Sequence, residues 1–228
     1  MTTDALLLSG TGRYSDPWHP FAETSEALAG LLADRGAHVR TAVNVDAALA
    51  RLAPTRGAAG TLAGDAPDLL VVNVGLPRDG GTSPGTEAAH AGLRAWAGSG
   101  RPTLAVHSSS TSFVDAPCWE DVLGGRWVRG RTMHPDYGPA RIRLESSALT
   151  AELEDFTLDD ERYSWLRTTA GIEVHATHEH EGGRHPIVWS HVRGGARTFY
   201  DALGHDAASY ASSPRRALLL RGLDWLLS

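Results

Sequence analysis

The first half of the chain alternates short apolar runs with stretches of helical period. Ala5–Leu8 is an apolar run ending at Ser9-Gly10, and it predicts a buried strand. Residues 9–21, SGTGRYSDPWHPF, carry turn chemistry and no apolar period, which makes them a loop. Phe21 to Arg35 then sets Leu28, Leu31 and Leu32 on one face and stops at Gly36, as a helix with a C-terminal glycine does. His38–Val43 reads as a second strand and Val45–Leu52 as a short helix capped by Asn44. A Gly/Ala/Pro-rich connection, 54–66, leads into Asp68–Val74, the most strand-like run of the sequence. A glycine-rich loop, 75–85, precedes a helix at Thr86–Ala97 with Leu93 and Trp96 on its apolar side. Thr103–Val106 is the next strand. Four strand–helix units in succession predict a parallel sheet with helices on both faces.

After residue 110 the rhythm changes. Trp119–Leu123 is a short helix ended by Gly124-Gly125. Ala140–Leu144, Ile172–Thr177, Ile187–His191 and Thr198–Ala202 read as strands with short glycine-bearing connections, which predicts antiparallel hairpins. Ser213-Pro214 opens a last helix, Arg215–Leu227, with proline at its first position. Residues 1–228 together read as one α/β domain, mostly parallel, with antiparallel additions in the second half.

Charge and cysteine usage narrow the class. The net charge is −6 and the basic residues are scattered apart from Arg126–Arg131, which disfavours a nucleic-acid partner. Cys118 is the single cysteine, so no intramolecular disulfide can form and a reducing compartment is the natural setting. The apolar run near the start is too short for a membrane span and lacks the basic flank of a signal peptide. The expectation is a soluble, cytoplasmic protein with no membrane partner.

Eight of the 11 histidines fall into two groups. His19, His107 and His205 each follow a predicted strand, and His134 sits in a loop beside Pro135. Carboxyl ends of parallel strands face one way, so these loop histidines are expected to meet in one cleft, where open α/β sheets build their sites. The denser set, His175, His178, His180 and His185, is expected at the exposed tip of a hairpin turned by Gly182-Gly183. LDDERYSW, 158–165, supplies Asp160, Glu161 and Tyr163; in an extended segment Glu161 and Tyr163 share a face. A carboxylate beside an imidazole raises its basicity and selects its tautomer.

AVHSSSTSF, 105–113, is a strand running into the kind of turn at which hydrolases and amidotransferases present a Ser or Cys nucleophile. This turn carries His107, and no G-x-S-x-G surrounds Ser108, Ser109 or Ser110. Cys118 lies eleven residues further on and reads as a packing residue. SGTGRY, 9–14, imitates part of a phosphate loop without its Gly-Lys-Ser/Thr.

Seven segments taken in order resemble the ThuA-like (trehalose-utilisation) family almost end to end. They are His19-Pro20-Phe21, LLVVN at 69–73, AVHSSSTSF at 105–113, WEDVLGGRW at 119–127, DDERY at 159–163, PIVWSHVRGGARTFYDALGHD at 186–206 and RGLDWLL at 221–227. The resemblance implies a class I glutamine amidotransferase-like, flavodoxin-like three-layer sandwich with His107 at the nucleophile's position. It also implies a role in sugar metabolism without glutaminase activity, because the thiolate that attacks an amide is missing.

The resulting expectation is a carbohydrate-active hydrolase or isomerase that takes a small-molecule sugar or keto-sugar in a His/Glu cleft. His107 or His205 would be general base, with His19 beside them and Glu161 orienting or acting as acid. Trp18, Ser108, His134, Tyr163 and Asp206 would surround the sugar, with Trp127 as a further stacking surface. Two alternatives stay open: a zinc-dependent hydrolase with the ion on His19, His107 and His205, and a non-catalytic sugar- or partner-binding domain. A homodimer is the default assembly for such a chain.

Overall fold

The computed structural model describes residues 2–54 and 62–228, so most of the connection expected at 54–66 lies outside the described residues. Strands β1 (Asp4–Ser9), β2 (His38–Ala42), β3 (Leu69–Asn73) and β4 (Thr103–Val106) form at the four expected places. β3 and β4 are buried along their whole length, as continuous apolar runs inside a parallel sheet must be, whereas β2 is an edge strand and largely exposed. Helices α1 (Phe21–Ala33), α2 (Val45–Arg51) and α3 (Glu87–Ala97) connect them. Asn44 caps α2 through the Ala47 N–H at 3.0 Å, and Thr86 caps α3 through the Ala89 N–H at 3.1 Å. After β4 come α4 (Pro117–Leu123), β5 (Gly125–Arg126), β6 (Gly138–Leu144), β7 (Phe156–Asp160), β8 (Arg167–Thr168), β9 (Ile172–His180), β10 (Gly183–Arg193) and β11 (Ala196–Asp201). Two helices close the chain, α5 (Ala207–Ala211) and α6 (Ser213–Leu226).

The large sheet has nine strands in the order β2-β1-β3-β4-β11-β10-β9-β6-β7. Its first five strands are mutually parallel and follow the 2-1-3-4-5 order of flavodoxin-like sheets. At β10 the direction reverses, and the four remaining strands pair antiparallel. β5 and β8 make a separate two-stranded ribbon. α1, α5 and α6 pack together in one helical layer, while α2, α3 and α4 pack in another. The fold is the expected α/β sandwich. Among the described residues no helix is long and apolar enough to cross a membrane.

The histidine-rich hairpin departs from expectation. It turns at Glu181-Gly182, but His175 and His178 are fully buried and His185 nearly so. They are inside because β9 and β10 are interior strands of the extended sheet, not a projecting ribbon. Each finds a partner there. His175 hydrogen-bonds the Ser147 and Ser190 hydroxyls, His178 Nε2 donates to the Tyr163 carbonyl at 2.9 Å, and His185 packs on Trp165 with ring centres 4.8 Å apart. β7 and α5 also lie outside the expected set of elements. β7 shows no clean alternation, with only Phe156 and Asp160 buried, and gains its strand form by pairing with β6.

Candidate functional site

Four chain segments bring the site together at the carboxyl end of the parallel strands. His107 is the first residue after β4, and its φ of +45° lies in the left-handed region. A non-glycine residue held there is strained and depends on its surroundings. Three bonds hold the turn: Tyr200 OH donates to the His107 carbonyl at 2.7 Å, His107 Nδ1 donates to the Ala202 carbonyl at 2.7 Å, and Ser108 Oγ donates to the Val74 carbonyl at 3.2 Å. His19 lies in the loop after β1. Asp16 accepts the backbone N–H groups of Trp18 and His19 at 3.0 Å and the His19 Nδ1–H at 2.8 Å, so one carboxylate shapes the loop and orients the ring. Glu161 follows β7 and His205 follows β11. Asp160 ties these two together by accepting the backbone N–H of Glu161 at 2.8 Å, of Gly204 at 2.8 Å and of His205 at 3.2 Å.

The three histidines expected to converge do so. His19 Nε2 is 3.1 Å from His107 Nε2, and the rings of His107 and His205 are centred 5.6 Å apart. Glu161 sits among them. Its Oε2 is 3.3 Å from His107 Nε2 and 3.8 Å from His19 Nε2, and its Oε1 is 3.3 Å from His205 Nδ1 and 3.6 Å from His134 Nε2. Tyr163 OH stands 3.1 Å from His107 Nε2, so Glu161 and Tyr163 face the same point.

Burial works against charge on His19, yet the Asp16 and Glu161 carboxylates outweigh it and raise the imidazole to about 9. Burial lowers His107 against the pull of Glu161, and the neighbouring His19 cation lowers it further. Burial also opposes ionisation of Glu161, but His107, His19 and His205 hold it far below the usual carboxylate range. Glu161 is therefore held as an anion among the three imidazoles. Burial keeps Tyr163 a neutral phenol well past its ordinary range.

This donor set fits a divalent cation. The Nδ1–H groups of His19 and His107 are engaged, so both Nε2 atoms turn toward each other, and either a proton or a cation must lie between them. Glu161 Oε2 and His205 Nδ1 are buried without a hydrogen-bond partner. One donor atom from each of His19, His107, Glu161 and His205 can be chosen so that all four lie within 4.8 Å of one another. Zinc–nitrogen bonds of about 2.0–2.1 Å place neighbouring tetrahedral ligands roughly 3.3 Å apart, close to the 3.1 Å between the His19 and His107 Nε2 atoms and the 3.3 Å from His107 Nε2 to Glu161 Oε2. Metal-binding histidines commonly have their second ring nitrogen held by a carboxylate or a backbone carbonyl, as Asp16 and Ala202 hold these two.

A cavity of about 840 Å³ opens beside the cluster, and Trp18, His19, Ser108, Trp127, His134 and Tyr163 line it. Ser108 Oγ is already bonded to Val74, whereas Trp18 stays 58% exposed at the mouth. Asp206 is not among the lining residues; it caps α5 through the Ser209 N–H at 3.1 Å and accepts the Tyr137 hydroxyl at 2.8 Å. Tyr137 in turn packs on His205 at 5.2 Å. Sequence reasoning missed Asp16 and the Ala202 carbonyl. Asp16, three residues before His19 in a loop, could have been found from spacing; a backbone carbonyl leaves no such signal.

The profile of the trehalose-utilisation family, ThuA, matches residues 18–226. The chain belongs to the ThuA family. Among solved structures, a ThuA-like protein from Parabacteroides merdae is 17% identical with a TM-score of 0.75, over 100% of this chain and 91% of that one. A second, from Bacteroides uniformis, is 15% identical with a TM-score of 0.74, over 99% and 91% of the two chains. A GMP synthase component from Thermoplasma acidophilum is 10% identical with a TM-score of 0.51, over 99% and 96%. At these identities the likeness speaks to the fold alone, and the ThuA fold is of the amidotransferase-like kind. No curated protein matches this sequence.

Proposed function

We propose that this ThuA protein is a divalent-metal-dependent enzyme acting on a sugar or keto-sugar, with His19, His107, Glu161 and His205 holding the ion. One observation carries the reading: three imidazoles and a carboxylate from four separate segments converge, with Glu161 Oε2 and His205 Nδ1 buried and unpartnered. A bound zinc-like ion would act as a Lewis acid on a substrate carbonyl or hydroxyl oxygen. Every other task falls to the chain. Asp16 and the Ala202 carbonyl fix the tautomers of His19 and His107. Tyr163, kept as a phenol, can donate a hydrogen bond to an oxygen bound in front of His107. His134, partly exposed and 3.6 Å from Glu161, is placed to carry protons between the cluster and solvent. Trp18 and Trp127 offer aromatic faces to a sugar ring.

A metal-free acid–base site is the second reading, favoured by the 3.1 Å contact between His19, which is raised, and His107, which is lowered. Elemental analysis of untagged protein, loaded with zinc or manganese and then desalted, separates the two. About one equivalent per chain is expected, falling at least tenfold in His107→Asn and Glu161→Gln. Wild-type protein that retains no metal sinks the first reading.

A further inference from the structure

Four arginines, Arg78, Arg126, Arg129 and Arg167, line the same cavity, and Asp16 is the only acidic residue among its lining. That is an unusual balance for a chain of net charge −6. Asp16 is already committed to His19. Arg167 grips Glu120 with two bonds of 2.7 Å, and Arg126 shares the same carboxylate at 3.8 Å. Arg78 and Arg129 are different. Both are exposed, and neither has a carboxylate partner among the described residues. The acid next to Arg78, Asp79, is taken by Arg13 at 2.9 and 3.1 Å. The Arg78 guanidinium instead lies over the Trp18 ring at 4.6 Å, a contact that holds the cation at the cavity mouth.

Within the function proposed above, we infer that the substrate is an anionic sugar whose carboxylate or phosphate binds Arg78 and Arg129. A neutral sugar gives no use to unpaired guanidinium groups in the cavity wall. The planar guanidinium matches a carboxylate or phosphate oxygen pair bidentately, and a positive cleft on a negative protein concentrates anions. The two cations come from separate walls, one from the loop after β3 and the other from the segment after β5. An anion between them would also fix which end of the sugar turns toward the histidine cluster.

Calorimetric titration with glucose, glucuronate and glucose 6-phosphate tests this. At least one of the two anionic sugars is expected to bind roughly tenfold or more tightly than glucose, and which one does so distinguishes carboxylate from phosphate. Raising salt to about 0.5 M should erase most of that preference. The Arg78→Gln/Arg129→Gln double variant should bind all three sugars alike, while Arg51→Gln, on the exposed side of α2, should keep the preference. Glucose binding as tightly as both anionic sugars, or a preference that survives in the double variant, overturns the inference. The readout is binding rather than turnover. A chain that holds no metal but prefers the anionic sugar therefore refutes the metal reading and leaves this one standing.

Discussion

Asp160→Asn probes how the site is assembled without touching a cavity residue. Asp160 is fully buried, and each of its oxygens accepts two hydrogen bonds. Oδ1 takes the backbone N–H of Glu161 and His205; Oδ2 takes the Gly204 N–H and the Ser209 hydroxyl. An amide in the same place keeps one accepting oxygen and turns an NH₂ toward the other pair of donors. The least costly arrangement points that NH₂ at Ser209, whose hydroxyl can rotate and accept. The Gly204 N–H is then left without an acceptor, at about 1–3 kcal/mol, and the remaining bonds lose their charge assistance at about 1 kcal/mol more. The expected loss is about 2–4 kcal/mol. At roughly 2.1 cal/mol/K per residue the unfolding entropy of 228 residues is near 0.5 kcal/mol/K, so the midpoint should fall by about 4–8 °C. Scanning calorimetry reads that shift. The same variant should hold metal less tightly than wild type, because the Gly204 N–H beside His205 is released and the bonds that tether the Glu161 and His205 backbones lose their charge assistance. An Asn variant that melts within about 2 °C of wild type and retains metal equally refutes the account of Asp160 as the organising anion.

Two further outcomes follow from other parts of the molecule. His178 is buried and lowered to about 4, chiefly by burial, and His175 is lowered for the same reason. The unfolded chain therefore binds protons that the folded chain refuses, and stability should fall as pH drops from about 6.5 to about 4, by about 3 kcal/mol for His178 alone. Urea midpoints at pH 7 and pH 5 check this, and equal midpoints at the two values would contradict it. Gly92→Ala in α3 should destabilise, although the same change in an exposed helix gains up to about 1 kcal/mol. A Cβ there would sit 1.7 Å from the Leu49 carbonyl oxygen of α2, so the helices must part at a cost of about 2–4 kcal/mol. A raised thermal midpoint in the Ala variant would show that the two helices do not pack as described.

The parallel half of the sheet was legible because its strands are continuous apolar runs and its helices carry their own caps. Ala5–Leu8, Leu69–Val72 and the cap at Asn44 are local signals, and the structure uses them locally. β7 was not legible as a strand, since its form comes from pairing with β6 rather than from alternation within 156–160. The histidines of 175–185 misled for a related reason. Polar residues beside a Gly-Gly turn look exposed, and only the position of β9 and β10 inside the sheet buries them. Convergence of His19, His107 and His205 could be read, because strand ends in a parallel sheet share a direction. Glu161 was expected in the same cleft, but the route that takes it there could not be read, because β7 lies at the far edge of the sheet and its chain returns to the cluster through a bond from Gly204 to Asp160 that no local pattern encodes.

The His107 turn is aimed by the sheet itself. A strand that ends in a left-handed residue turns that side chain away from the strand direction, here into the buried cluster beside the cavity. An imidazole there could swing, and this chain supplies the anchors that prevent it: the Ala202 carbonyl on Nδ1, and Tyr200 on the backbone of the turn. Both come from the carboxyl end of β11, the parallel neighbour of β4, so the sheet itself aims the ring. With Nδ1 pinned, only Nε2 faces His19, Glu161 and Tyr163. In the metal-dependent reading proposed above, that pinned imidazole would be one vertex of the ligand set. The other vertices lie on loops after β1, β7 and β11, where the sheet leaves side chains free to converge.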